Sequence, residues 1–514
     1  MKKNNHIALL VKSPWHIICF AIYPPLALLA HNAGEVGYDV AWRSLLLGPV
    51  FFLISLLVFY KFFNDIEKAG ILNIFFIFSF YYYEYAFGYA SGSELLGSAL
   101  DRHIYFLPIW FGTFFVVGWW IAKKLSVDFI SVLLRTAGVV LLIFPIYQLA
   151  AFQYLHQNDS GIEVSGIPIP PQSANRTPPD VYFIVLDMYG RNDVLYNDFG
   201  YGSTVFLQSL KDMGFYVASC SQSNYPNTAL SLSATLNGNY LQELGSELPS
   251  QNISTRMMWY LIQNSAVEDA FRKQGYKIVA FETDYRWTEW RDADIFYELR
   301  SDSINNFEGI LLRNSVLGMF SEKNIVAPSA FTADKRKYEL TQYVLDELNK
   351  VPEIAGPKFV FVHLVVPHPS FVLGPDGEFL VVSPRYKNNE LYYTKDDFIA
   401  GYRNQVEYIS SRITEVIKNI IKNSSQPPII ILQGDHGPRF VKIKEQFGIL
   451  NAYFFPDPKP ELNPFLSPVN NFRIVFNTYF GAPLPLLPDQ SYLSKSSTSG
   501  GYQKIPNDCK AEIQ

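Results

Sequence analysis

Two acidic residues and a histidine stand at the ends of apolar runs in this chain. Pro427-Pro428-Ile429-Ile430-Ile431-Leu432-Gln433 leads into Gly434-Asp435-His436-Gly437, and Val181-Tyr182-Phe183-Ile184-Val185-Leu186 closes on Asp187. Each run reads as a buried strand, and in an open α/β sheet the C-terminal strand ends face the ligand crevice. A buried carboxylate is unfavourable unless it is paired or coordinated, and a divalent cation supplies that compensation. Carboxylate with imidazole suits zinc or manganese, whereas oxygen ligands alone would suit calcium or magnesium. The structural alternatives are a hydrogen-bonded His436 and, for Asp187, a helix N-cap or an ion pair with Arg191.

A nucleophile for such a centre lies in Asn224-Tyr225-Pro226-Asn227-Thr228-Ala229-Leu230-Ser231. Tyr225-Pro226-Asn227 is a turn signal, so Thr228 falls in the first turn of a helix running through Leu236. A hydroxyl there meets the positive end of the helix dipole and free backbone N–H groups, and metal coordination would lower its pKa. The plain alternative is that Thr228 is only the helix cap. Ser231, one turn later, is the competing nucleophile. His363 and His368 lie in and just after a third apolar run, Phe359 to Val365. With His436 they are the only histidines after residue 180.

The elements that must position these residues alternate. Candidate strands are 181–186, 277–281, 359–365, 428–432 and 473–476, and candidate helices 203–213, 265–274, 335–350 and 398–422. The alternation predicts an α/β domain with a largely parallel sheet. We place this domain at residues 180–490, after a Gly/Pro-rich linker at 151–179 and before a Ser/Gly/Lys-rich, loosely ordered tail at 491–514.

The first 150 of the 514 residues are different in kind. Five apolar stretches, at 14–31, 44–63, 71–90, 104–122 and 129–150, are each of a length that at ~1.5 Å per residue crosses a ~30 Å hydrocarbon core. Lys2, Lys3, Lys12, Lys61, Lys68, Lys123 and Lys124 fall on one side of these spans, and only Arg43 and Arg102 on the other. Positive residues stay inside. The expectation is a multi-pass protein of the cell membrane, with a cytoplasmic N-terminus and residues beyond 150 outside. Arg135 is placed to snorkel to the inner surface, and Glu84 is the costliest ionisable group in a span. A net charge of −5 with no Lys/Arg stripe argues against nucleic acid. Cys19, Cys220 and Cys509 form no disulfide framework, a Cys220–Cys509 bridge being conceivable only.

The ordered set of strand–Asp187, Asn227-Thr228-Ala229-x-Ser231, His363-x4-His368-Pro369 and strand–Gly434-Asp435-His436-Gly437 resembles the alkaline phosphatase/sulfatase superfamily. The preceding apolar spans resemble its membrane branch, which includes lipoteichoic acid synthases and phosphoethanolamine transferases. The resemblance implies that Asp187, Thr228, Asp435 and His436 hold one divalent ion. Thr228 would be the nucleophile, and His368 would contact the phosphoryl group or protonate the leaving oxygen. His363, Arg439 and Ser231 are further candidates for touching substrate. The implied activity moves a phospholipid-derived headgroup to a glycan or lipid-glycan acceptor through a phospho-threonine intermediate. A metal-dependent phosphodiesterase with the same site, and a non-catalytic membrane scaffold, are the alternatives. The Cys/Ser-x-Pro-x-Arg pentapeptide that sulfatases modify is missing from the chain, which disfavours sulfate ester cleavage.

Overall fold

Strand and helix alternate from Val181 onward in the computed structural model, which describes residues 15–34, 36–91, 102–124, 126–157, 166–170, 178–244, 255–283, 285–300, 304–321, 333–380, 385–387, 390–494 and 501–510. Lys2, Lys3, Lys12 and most of the proposed linker lie outside these residues. The chain divides into two units: residues 1–159, 302–336 and 385–392 form one, and residues 160–301, 337–384 and 393–514 the other.

The second unit is built on a seven-stranded sheet. Its strands are β1 (Val181–Leu186), β2 (Tyr216–Val217), β3 (Lys277–Phe281), β4 (Ile295–Tyr297), β5 (Lys358–Leu364), β6 (Ile429–Gly434) and β7 (Asn451–Phe454), in the order β2-β7-β6-β1-β5-β3-β4. The β6-β1-β5-β3-β4 portion is parallel, and β7 and β2 add antiparallel pairings at one edge. Every residue of β1, β5 and β6 is buried, as expected for parallel strands covered on both faces. Alternation along β1 divides two cores. Tyr182, Ile184 and Leu186 join Leu345, Ile409 and Ile413 on one face, while Val181, Phe183 and Val185 join Leu232, Phe271 and Phe472 on the other. Leu186 is level with Leu364 and with Gly434. The residues that follow β1 and β6, Asp187 and Asp435, therefore emerge at one edge.

Several expectations are corrected. The 473–476 run is not a strand but part of a helix, Asn471–Phe480. A short apolar run does not separate the two states, and Phe472, Val475, Phe476 and Phe480 are buried at helical spacing. The expected loose tail is ordered where described: Ser491–Ser494 pairs antiparallel with Tyr502–Ile505. Cys509 is disulfide-bonded to Cys220 across 289 residues. Tyr492 and Tyr502 pack on Tyr225, an apolar anchor that the polar composition of the tail conceals.

The first unit contains helices His16–His31, Trp42–Phe63, Ile66–Tyr81, Tyr83–Ser91, His103–Lys124 and Val127–Gln157. Among the described residues three helical stretches, Tyr38–Phe63, His103–Lys124 and Val127–Tyr154, are long and apolar enough to cross a membrane; His16–His31 is a shorter apolar helix. The 71–90 stretch is covered by two helices, Ile66–Tyr81 and Tyr83–Ser91, that meet at Tyr82 rather than by one continuous helix. Arg135 pairs with Glu67, its guanidinium 3.1 Å from the carboxylate. The same unit takes in residues 302–336 from the later sequence. There Asn305 and Glu308 form a capping box on helix Asn306–Asn314, and Arg43 binds both Glu308 oxygens, at 2.8 and 2.6 Å.

Asp180 ties the other ends of the central strands together. It accepts from Lys358 Nζ at 2.7 Å, and its carbonyl accepts from Ile429 N at 2.8 Å. Both charged side chains are buried. Asp180→Ala should therefore lower stability by about 3–5 kcal/mol by stranding the Lys358 ammonium. Adding Lys358→Met should recover part of that loss, as read by thermal unfolding of the two variants.

Candidate metal centre

Asp187, Asp435 and His436 converge at the C-terminal edge of the sheet. One ligand atom from each lies within 4.8 Å of the others. His436 Nε2 stands 3.5 Å from Asp187 Oδ1 and 3.8 Å from Asp435 Oδ2. All three side chains are buried. Backbone geometry aims them. Asp187 N donates to the carbonyl of Leu364 at the end of β5. Asp435 Oδ1 accepts from Met188 N and His436 N, each at 2.9 Å. His436 Nδ1 faces the Gly437 carbonyl at 2.8 Å; it must donate there, which leaves Nε2 with a free lone pair. Gly434 admits this crowding, because a Cβ there would lie 2.3 Å from the Tyr189 carbonyl oxygen.

Asp187 Oδ1 and Asp435 Oδ2 are buried without a hydrogen-bond partner among the described residues. Two such oxygens facing one imidazole nitrogen fit a divalent cation, the group that would satisfy them all. Burial and the neighbouring Asp187 charge push the Asp435 carboxyl up. Burial also pushes Asp187 up, but the imidazoles of His368, His363 and His436 outweigh it and hold Asp187 well below the usual carboxylate range.

The remaining candidates fall in different places. His363, in β5, is buried with Nε2 3.5 Å from Asp187 Oδ2. His368 is half-buried, and its Nδ1 lies 2.6 Å from the Pro369 carbonyl. Burial lowers its pKa to about 4, Lys337 and His436 acting in the same sense and the Asp187 charge against it. Thr228 is the first residue of helix Thr228–Asn237, but the cap is Asn227, whose side chain accepts from Leu230 N at 3.0 Å. The Thr228 hydroxyl is thus not consumed in capping. Ser231 is buried and donates to the Tyr225 carbonyl at 2.8 Å, a structural commitment that separates it from the substrate role expected of it. Arg439 is exposed. Arg191 binds Asp193, not Asp187.

Two supports were not read from the sequence. Lys337 Nζ donates to the carbonyls of His368 and Ser370, at 2.6 and 2.8 Å, and Gln405 Nε2 to those of Pro367 and His368, each at 3.1 Å. Together they hold the loop that carries His368. The segment leading to Thr228 is clamped by the C-terminal region: Tyr492 N donates to the Asn224 carbonyl, Asn224 Nδ2 to that of Gln490, and Ser491 Oγ to that of Ser223. Partners so distant in sequence leave no local pattern.

The family model described as Sulfatase matches residues 179–481. No curated protein matches the chain. Among solved structures, the chain is similar to the C-terminal periplasmic domain of EcEptC from Escherichia coli, crystallised also in complex with Zn. For the Zn complex the identity is 14%, the TM-score 0.40, and the coverage 63% of this chain and 93% of that one. It is also similar to the integral membrane protein lipooligosaccharide phosphoethanolamine transferase A from Neisseria meningitidis. There the identity is 13%, the TM-score 0.38, and the coverage 87% and 89%. A protein in the alkaline phosphatase superfamily from Vibrio parahaemolyticus aligns with 64% of the chain and 76% of its own, at 13% identity and a TM-score of 0.36.

Elemental analysis of the purified full-length protein should find a divalent metal. Asp435→Asn should weaken its binding by more than the ~10–100-fold that losing an outer partner costs. The His368 shift carries its own sign. The native ring stays neutral down to about 4 while the unfolded one protonates near ~6.5, so the unfolded state binds more protons between these values. Stability should fall as pH drops through that window, and His368→Gln should flatten the fall in pH-dependent thermal unfolding.

Proposed function

This chain belongs to the sulfatase family, and on that premise we propose that it is a membrane-bound, metal-dependent phosphoryl-group transferase acting outside the cytoplasm. The observation that carries this reading is the convergence of Asp187 Oδ1, Asp435 Oδ2 and His436 Nε2, two of them without a hydrogen-bond partner. Zinc or manganese suits two carboxylates and an imidazole. A bound ion would supply positive charge for the phosphate oxygens and for an alkoxide.

The chain's own groups perform the rest. Thr228, freed from capping by Asn227, is the nucleophile: its Oγ forms a bond to phosphorus as the bond from phosphorus to the lipid alcohol breaks. Neutral His368, with Nδ1 bound to Pro369, presents Nε2 to take the threonine proton and return it to the leaving oxygen. A hydroxyl of a glycan or lipid-glycan acceptor then takes the group from Thr228. The headgroup donor is a phospholipid. Helices able to span a bilayer keep the enzyme where that donor is.

Two features support the outer location. Cys220–Cys509 is a disulfide, and such bonds persist in oxidising compartments. Lys61, Lys68, Lys123 and Lys124 flank the helices on the side that the charge rule keeps inside.

Phospholipid labelled in its headgroup, supplied to the full-length protein in bilayers with a glycan acceptor, should pass label to the glycan. Mass spectrometry of quenched enzyme should find the added group on Thr228, and Thr228→Ala should reduce transfer on the order of 10³-fold or more. Label accumulating only as free headgroup would make the enzyme a hydrolase. Undiminished transfer by Thr228→Ala would overturn the assignment.

A further inference from the structure

The chain leaves the metal centre through an exposed loop of unusual composition, Arg439-Phe440-Val441-Lys442-Ile443-Lys444. Phe440 is 48% exposed and Ile443 50%. Arg439, Lys442 and Lys444 are exposed beside them. Phe440 adopts φ 63°, in the left-handed region that bulky non-glycine residues seldom enter. The loop thus holds a phenyl ring outward in a backbone conformation that its residue type disfavours.

This loop is tied to the metal-binding residues. Pro438 packs so closely on Gly190 that a Cβ there would lie 3.0 Å from the proline ring. One face of Phe440 rests on Phe398, at 4.8 Å between ring centroids, and Phe398 stacks on Tyr402 at 5.8 Å. The Tyr402 hydroxyl donates to the carbonyl of Met188, the residue after Asp187, at 2.8 Å. Whatever the loop touches is therefore coupled through few contacts to both carboxylates.

We propose that residues 439–444 form a bilayer-contacting loop, with Phe440 and Ile443 entering the interfacial region and Arg439 facing a lipid phosphate. Exposed apolar tips among lysine and arginine are the composition that lies at a headgroup boundary. The acidic groups nearby do not reverse this. Lys444 pairs with Asp508 and Lys442 faces Asp198, while Arg439 has no acidic partner among the described residues and is left for a phosphate. The inference rests on the reading of the donor as a phospholipid, and it assigns the loop to delivering that donor.

The full-length protein would be tested in nanodiscs of phosphatidylethanolamine and phosphatidylglycerol. A nitroxide is placed at Ile443→Cys in a Cys19→Ser background. Oxygen should relax the label strongly and a water-soluble nickel chelate weakly. Access to both overturns the proposal; exclusion of both marks a protein interface and overturns it as well. In parallel, Ile443→Asp should slow turnover of the bilayer donor about tenfold or more and leave turnover of bis(p-nitrophenyl) phosphate unchanged. Equal loss on both substrates, or none on the bilayer donor, counts against the loop. Full bilayer turnover by Thr228→Ala would instead remove the functional reading and leave the depth measurement standing.

Discussion

Two carboxylates that cannot both stay charged and dry organise the catalytic unit. Asp187 and Asp435 close adjacent parallel strands, and the register that places Leu186 beside Gly434 forces them together. Buried like charges raise one another's pKa, and burial with the Asp187 charge acts on Asp435 in that sense. The surrounding imidazoles do the opposite to Asp187. The edge is therefore an anionic well ringed by histidines. Strand pairing, the glycine at 434 and the hydrogen bonds to Asp435 Oδ1 all keep the well narrow.

The groups proposed to act with this well, His368 and Thr228, are carried by two loops, the second leading into the helix that Thr228 opens. The two loops are restrained by different means. Gln405, which is buried, and Lys337 seize the carbonyls around His368, so that loop hangs from two helices that cover the sheet. The segment before Thr228 hangs instead from the end of the chain, through Asn224, Ser223 and the Cys220–Cys509 bond. Helix geometry then fixes Thr228 itself, because Asn227 takes the cap. Loss of the C-terminal segment would loosen the segment that leads to Thr228, the proposed nucleophile.

What could be read in advance follows from the range of the interaction. The strands 181–186 and 277–281 are found at those residues, because buried parallel strands print apolar runs, interrupted only by exposed Lys277 at the start of the second. The long helix expected at 398–422 runs Lys395–Asn423, since its stripe repeats over many turns. The edge strands β2 and β4 went unread, being two and three residues long. The cluster of Asp187, Asp435 and His436 was readable because each residue directly follows an apolar run. The grip of Lys337 on His368, and the pairing of Arg43 with Glu308 across 265 residues, depend on tertiary folding and have no local signature. Residues 302–336, to which Glu308 belongs, fall in the first unit.

The division of labour among the histidines bears on how many ions the centre takes. His436 offers Nε2 to the carboxylates because its Nδ1 is held by Gly437. His368 has Nδ1 held by Pro369, and its depressed pKa keeps the ring neutral, as the role proposed for it requires. His363 faces the second oxygen of Asp187, so that this carboxylate turns Oδ1 toward the well and Oδ2 toward the sheet. Among the described residues no further His, Cys, Asp or Glu joins the cluster. A second ion would have to take either the histidine that orients Asp187 or the one proposed to move the proton. One ion is therefore the count we propose, since it would use each of these donors once.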